Sequence, residues 1–245
     1  MILDKKLFIA NLNKAFTQNG FGGHLSIDKT EQFFLLTEIL LRENEKYNLT
    51  AITEPTKIIL NHYVDCATPS ELIPKGAKIA DVGCGAGFPT LPLAILRPDL
   101  TIVGIDSTAK RTGYVEMAAR ELGLTGVSLL TGRAEDFGQD KQYREKFDVV
   151  TARAVAPMPI LSELCIPLVK VGGQFIAMKG KSAKSELQDA RIAIPTLGGK
   201  LNITKDVFLR YGDEELSHPL IVIDKVQKTS PTYPRPYAKI SKKPL

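Results

Sequence analysis

The sequence predicts an α/β fold: a mostly parallel seven-stranded sheet with helices on both faces, preceded by a helical N-terminal segment. Three observations carry this. Up to about residue 75 the apolar residues recur at helical spacing; from 76 short apolar runs alternate with helical stretches; and residues 79–95, IADVGCGAGFPTLPLAI, join an apolar strand to a helix through Gly83, Gly85 and Gly87. Strands that read as unbroken apolar runs and alternate with helices belong to a parallel sheet buried on both sides. At 245 residues and 44% hydrophobic content the chain can bury a full core. The expected division is a helical segment over 1–75, a core over 76–226 and a tail over 227–245.

In chain order, Phe33, Leu36, Ile39, Leu40 and Tyr47 share a helix face, with Asp28 and Glu31 spaced as a capping box. A short second helix follows, with Thr53 as its cap, Pro55 in its first turn and Ile58, Ile59 and Val64 as its apolar stripe. Strands are expected at 78–82, 101–106, 127–130, 147–152 and 172–178, and helices near 90–96, 110–122, 157–168 and 184–193. After Leu197-Gly198-Gly199, two further runs, 203–210 and 219–226, can pair as an antiparallel edge.

No apolar run approaches the ~20 residues of a membrane span, and Met1-Ile2-Leu3-Asp4-Lys5-Lys6 is charged before a signal core could form. A cytoplasmic protein with no membrane contact is expected, and a monomer. Cys66, Cys84 and Cys165, like His24, His62 and His218, are widely spaced, so neither a disulfide framework nor a metal site is indicated. The net charge is +5, yet Lys225, Lys228, Arg235, Lys239, Lys242 and Lys243 fall in a final stretch without an acid, against 26 basic and 27 acidic residues before it. Such a tail, with Tyr233 and Tyr237, suits a polyanion through release of phosphate counterions. A merely solvated end and a packed structural strap are the alternatives.

The glycine spacing narrows the ligand. A dinucleotide fold uses GxGxxG, with a pyrophosphate on the helix N-terminus. Here the third glycine comes one residue early, Phe88 stands in its place, Pro89 narrows the entrance and Asp81 precedes the loop. This pattern suits a nucleoside ligand without phosphates, S-adenosylmethionine, whose amino group Asp81 can accept from. Asp106, 25 residues after Asp81 at the end of the next strand, is placed to accept from both ribose hydroxyls, and Ser107 follows it. Ala134 and Glu135, after the third strand, can meet the adenine; a helix-start acid is the plainer reading of Glu135.

YNLTAI (47–52), DVGCGAGFPTLPLAI (81–95), DSTAKR (106–111), AEDF (134–137), FDVVTARAVA (147–156), MKGK (178–181) and YPRPYAKISKKPL (233–245) together resemble the glucose-inhibited division protein B family, RsmG. These are the bacterial small-subunit (16S) ribosomal RNA guanine-N7 methyltransferases. The resemblance runs from about residue 30 to the C-terminus. It implies a class I, Rossmann-like methyltransferase fold, S-adenosylmethionine as co-substrate, and 16S ribosomal RNA or the small ribosomal subunit as partner. It places the donor against Gly83, Phe88, Ala134, Glu135 and Arg153, with Asp106 on the ribose. Thr90 stands where relatives often carry Gly, and Ala238 and Ile240 where a Gly and a Pro are expected.

The chemistry agrees by what is missing. Amine methylation usually calls for an Asn/Asp-Pro-Pro-aromatic clamp after the fourth strand, and cytosine C5 methylation for a nucleophilic Cys; neither is present. Guanine N7 has an in-plane lone pair and needs orientation rather than a general base. Arg153 and Lys179, at the ends of adjacent strands, are the candidates for orienting the substrate, and a salt bridge from Arg153 to Asp81 or Asp106 is the alternative for that residue. A methyltransferase acting on another RNA or on a small molecule remains the rival function. All these donor residues lie between Asp81 and Arg153, so the tail is not expected to touch the donor.

Overall fold

The computed structural model describes residues 3–245. The N-terminal segment forms α1 (Lys5–Gln18), α2 (Ile27–Tyr47) and a short α3 (Pro55–Ile58), which continues through a π-helical stretch, Ile59–Val64, into α4 (Asp65–Ala67). Two caps differ from expectation. Ser26, with extended backbone, caps α2 by accepting from the Lys29 N–H at 3.3 Å. Asp28 therefore lies inside the first turn, where its charge favours the helix dipole. Glu54 rather than Thr53 caps α3, accepting from the N–H groups of Thr56 (3.0 Å) and Lys57 (2.8 Å). Pro55 occupies the first helical position, and the cap is the residue directly before it.

The remainder runs β1 (Lys78–Val82), α5 (Thr90–Leu96), β2 (Thr101–Asp106), α6 (Ala109–Glu121), β3 (Val127–Thr131), α7 (Ala134–Gln139), β4 (Phe147–Arg153), α8 (Met158–Cys165), β5 (Val169–Met178), α9 (Ala183–Asp189), α10 (Ala193–Thr196), β6 (Gly199–Lys205), β7 (Phe208–Tyr211), β8 (Glu214–Ser217), β9 (Leu220–Lys225) and α11 (Tyr237–Lys242). Seven strands form one sheet in the order β3-β2-β1-β4-β5-β9-β6. The first five are parallel, and β9 is antiparallel to both β5 and β6. The chain walks outward from β1 to β3, then returns to the other flank of β1 with β4. The crevice at the carboxyl ends of β1 and β4 is where sheets of this kind hold ligands.

The run expected as one strand over 203–210 breaks after Lys205, because β7 turns away to pair with β8 around Gly212 (φ +60°). That hairpin rests on the N-terminal helices: Asn19 exchanges hydrogen bonds of 2.9 Å with the Arg210 backbone, and the Tyr211 hydroxyl donates to Asn11 at 2.9 Å. Alternation along the strands sorts the core. Ile79, Ile102 and Val149 face a cluster shared with Phe16, Phe33, Leu36 and Tyr63 of the N-terminal segment, while Ala80, Val103 and Val150 face α8 and the tail.

The tail is a packed strap. The Arg144 guanidinium donates to four backbone carbonyls, of Gly138, Tyr233, Thr229 and Ser230. Gly138 is needed there, since a Cβ on it would come within 2.7 Å of Pro234. Arg235 donates to the buried Glu163 carboxylate through Nε (2.8 Å) and Nη2 (2.7 Å), and Ile240 is fully buried. Lys225 is buried too, its amino group donating to the carbonyls of Ile166 and Leu197, and burial lowers its pKa to about 8. Two of the six basic residues are therefore structural, while Lys228, Lys239, Lys242 and Lys243 remain exposed. Arg235→Ala leaves the Glu163 carboxylate buried without its partner. Urea denaturation should show a loss of roughly 3 kcal/mol, the scale for breaking a buried pair; an unchanged midpoint would mean that the strap adds no stability.

Candidate functional site

The loop from β1 to α5 is shaped by left-handed turns at Gly83, Gly85 and Gly87 (φ +72°, +54° and +84°), a conformation that only glycine adopts without strain. Gly83 carries a second constraint, because a Cβ there would lie 2.5 Å from the Val155 side chain; at Gly85 it would meet only the Gly83 carbonyl oxygen, at 3.8 Å. Asp81 closes the loop from beneath. One oxygen accepts from the Thr90 hydroxyl (2.6 Å) and backbone N–H (3.2 Å), and the other from the Thr151 hydroxyl (3.0 Å). Register makes the last bond, since Asp81 and Thr151 are paired across β1 and β4 and their side chains share a face. Burial raises the Asp81 pKa to about 6, against the pull of these donors.

Beside the loop lies a cleft of about 260 Å³. Gly83, Asp106, Ser107, Ala134 and Glu135 all line it, as do Arg111, Arg133, Val155 and Tyr237. Asp106 accepts from the Gly85 N–H (3.0 Å) and the Thr108 N–H (2.9 Å), with Arg111 at 3.7 Å. A carboxylate has about four acceptor positions, so it retains capacity for a ligand hydroxyl. Glu135 sits in the first turn of α7, and burial raises its pKa.

Several residues expected at the ligand stand outside the cleft lining, and one expected ion pair does not form. Asp81 does not line the cleft, because Thr90 and Thr151 turn its carboxylate under the loop. Gly85 and Gly87 are likewise absent from the lining. Phe88 is a core ring, stacked on His62 at 4.3 Å between centroids, with the Arg153 guanidinium 5.6 Å from its centre. Arg153 meets neither Asp81 nor Asp106: it donates to the Asn61 carbonyl (2.8 Å) and to the buried Asp65 (2.9 Å), tying β4 to the N-terminal segment. Lys179 donates to the Ala156 carbonyl (2.9 Å) and pairs with Glu186 (2.6 Å), whose carboxylate also accepts from the Met158 N–H (3.0 Å). Arg153 and Lys179 thus hold the two ends of one turn. That turn contains Ala154, in the left-handed region at φ +55°, and the Val155 that abuts Gly83.

Comparison with known proteins decides the family. The model of GidB, rRNA small subunit methyltransferase G, matches residues 29–210. The protein of that name from Lactobacillus delbrueckii subsp. bulgaricus is 44% identical over 99% of this chain and 100% of its own, and the one from Lactobacillus acidophilus 47% identical over 90% and 93%. This chain belongs to that family. A solved SAM-dependent methyltransferase from Aquifex aeolicus, 16% identical, superposes with a TM-score of 0.54 over 76% of this chain and 98% of that one, which places the fold among the Rossmann-like methyltransferases.

Sequence reasoning missed Arg133, next to the predicted Ala134, and the residues that neighbour the cleft only through folding: Val155, Tyr237 and the group around Arg153. His62 and His218, scattered in sequence, both reach that group. His218 Nδ1 lies 3.1 Å from Asp65, and His62 Nδ1 lies 3.1 Å from Arg153 Nη2. The same Nδ1 also lies 3.1 Å from the Asn61 carbonyl oxygen, and Nε2 lies 3.2 Å from the Thr50 hydroxyl. Burial first, then the Arg153 charge, lowers the His62 pKa to about 3. A base with a lowered folded pKa is protonated more readily when unfolded, so its contribution is complete above the ordinary value of 6.5 and is lost as pH falls toward 3. Asp81, raised from 3.8 to about 6, acts in the opposite sense, gaining stability on acidification. Subtracting the stability of His62→Phe from that of the parent, between about pH 4 and 6.5, inside the His62 window of about 3 to 6.5, follows the histidine. The difference should shrink on acidification with a slope approaching 1.4 kcal/mol per pH unit. A flat difference would mean that His62 is not held neutral.

Proposed function

We propose that this protein transfers the methyl group of S-adenosylmethionine to N7 of a guanine in small-subunit (16S) ribosomal RNA. The observation that carries the donor half is the loop chemistry. The first N–H of α5 is already bound to the Asp81 carboxylate, so the helix start where a dinucleotide pyrophosphate would lie is occupied by a fixed negative charge. What the cleft offers is one carboxylate with spare acceptor capacity, apolar walls from Val82, Ile105, Ala134 and Leu164, and a backbone surface at Gly83. These fit a cationic nucleoside without phosphates. In this reading Asp106 holds the ribose hydroxyls, Ser107, Ala134 and Glu135 border the adenine, Gly83 gives backbone approach, and Asp81, Gly85, Gly87 and Phe88 keep the loop in shape.

Bound there, the donor supplies an activated methyl group. The chain supplies position. Guanine N7 attacks with its own lone pair, so no side chain has to remove a proton first. The three cysteines are buried, with their thiol pKa values raised by burial, which suits a reaction without a thiolate nucleophile. Arg153 and Lys179 act as positioning residues: they fix the 154–157 turn beside Gly83, where Ala154 and Val155 line the cleft. Family membership and the relatives' printed activity support ribosomal RNA as substrate, and exposed Arg111 and Arg133 at the cleft suit a polyanion. The three sequence divisions are then functional parts rather than separate folding units. The same reading has the enzyme act as a cytoplasmic monomer; among the described residues no helix is long and apolar enough to cross a membrane.

Mass mapping of small-subunit RNA from cells lacking the protein should show the loss of one methyl group from one guanine. Restoring the parent gene should return it. Asp106→Asn, which loses charge-assisted hydrogen bonds, should weaken S-adenosylmethionine binding in calorimetry by about 1.5–3 kcal/mol. Unaltered RNA masses would refute the substrate, and an unaltered Asp106→Asn affinity the ribose assignment.

A further inference from the structure

We propose that Tyr237, from the C-terminal strap, is part of the donor site, its ring forming the wall against which the adenosine end of S-adenosylmethionine packs. The inference rests on the donor reading above and adds a residue more than eighty positions beyond Arg153, the last of the sequence-derived donor residues. Tyr237 lines the same cleft as Asp106, Ser107, Ala134 and Glu135. Its place is at the adenine end. The Arg133 guanidinium lies 5.5 Å from its ring centre, and its backbone N–H faces the Glu135 carboxylate, opposing the rise in pKa that burial causes there.

A purine calls for a flat apolar surface, and among the residues lining the cleft Tyr237 is the one aromatic. Phe88, which the resemblance places against the donor, is stacked on His62 and buried in the core. Tyr237 is also held in place without being buried. Arg235, two residues before it, is fixed by Glu163, Ile240, three after it, is fully buried, and the Tyr237 side chain between them is 39% exposed. An aromatic side chain anchored from both sides loses little further freedom when a ligand covers it, which is what makes pre-ordered tyrosines effective contacts.

The chain contains no tryptophan, so Tyr237→Trp introduces a single reporter at the proposed contact. Titration with S-adenosylhomocysteine and with 5′-methylthioadenosine, which lacks the amino-acid end, should change its emission in both cases. Calorimetry on Tyr237→Ala should show both ligands weakened by a similar factor, roughly five- to a hundredfold, the scale of base–aromatic stacking. Tyr237→Phe should stay within about twofold of the parent, since the ring face rather than the hydroxyl makes the contact. Melting curves should be unchanged for all three variants, because Arg235 and Ile240 still anchor the strap. Parent affinity for both ligands in folded Tyr237→Ala, with silent emission in Tyr237→Trp, would overturn the proposal and leave the donor reading standing. A parent protein that binds neither ligand would overturn the donor reading and this inference with it.

Discussion

The buried carboxylate of Asp81 is the constraint on which the cleft depends. It sits on the central strand, beneath three glycines, and its oxygens are shared between the start of α5 and the neighbouring strand β4. Three donors make the burial of a carboxylate tolerable, and they also fix its position. Because Asp81 binds the first N–H of α5, the site has no vacant anion hole. In the proposed reading the ligand is then held by backbone approach at Gly83 and by the second carboxylate, Asp106. Thr90 supplies two of those three donors, so its side chain is tied to the loop.

The second organising feature is the turn after β4. Arg153 secures its start through Asp65 and Asn61 of the N-terminal segment, and Lys179 secures its far end through the Ala156 carbonyl. A buried ion pair of this sort adds little net stability and much specificity of position when its hydrogen bonds are complete. The N-terminal segment shares a hydrophobic cluster with one face of the sheet. Through Asp65 it also reaches the edge of the catalytic crevice. Helices that read as an appendage in sequence thus take part in setting the cleft wall.

Most of the fold was legible because strands buried on both faces leave apolar runs, as β1, β2, β4 and the second half of β5 do. One wall of the cleft was legible for a related reason: Gly83, Asp106, Ala134 and Glu135 follow directly from strand ends, so a strand assignment also locates them. Arg153 and Lys179 were found at the right edge, but the alternative salt bridge of Arg153 to Asp81 or Asp106 does not form, since its carboxylate partner is Asp65. Strand position says where a side chain starts, whereas its partner depends on which distant segment folds over it, here Asn61, Asp65 and Glu186. Tyr237 was hidden more deeply. Its basic, proline-rich surroundings resemble a solvated arm, and only the anchoring by Arg144, Glu163 and the Gly138 contact turns that arm back onto the cleft. The helix caps slipped by one or two residues, since Pro55 and the extended backbone at Ser26 decide the cap and side-chain spacing does not.

The central claim is that the cleft takes an adenosine ligand without phosphates, because Asp81 occupies the anion position at α5. Parallel calorimetric titrations of the full chain with S-adenosylhomocysteine and with NADH test it most directly. The account predicts saturable one-to-one binding of S-adenosylhomocysteine and no detectable heat with NADH at the same concentrations. NADH binding as tight as or tighter than S-adenosylhomocysteine would contradict it.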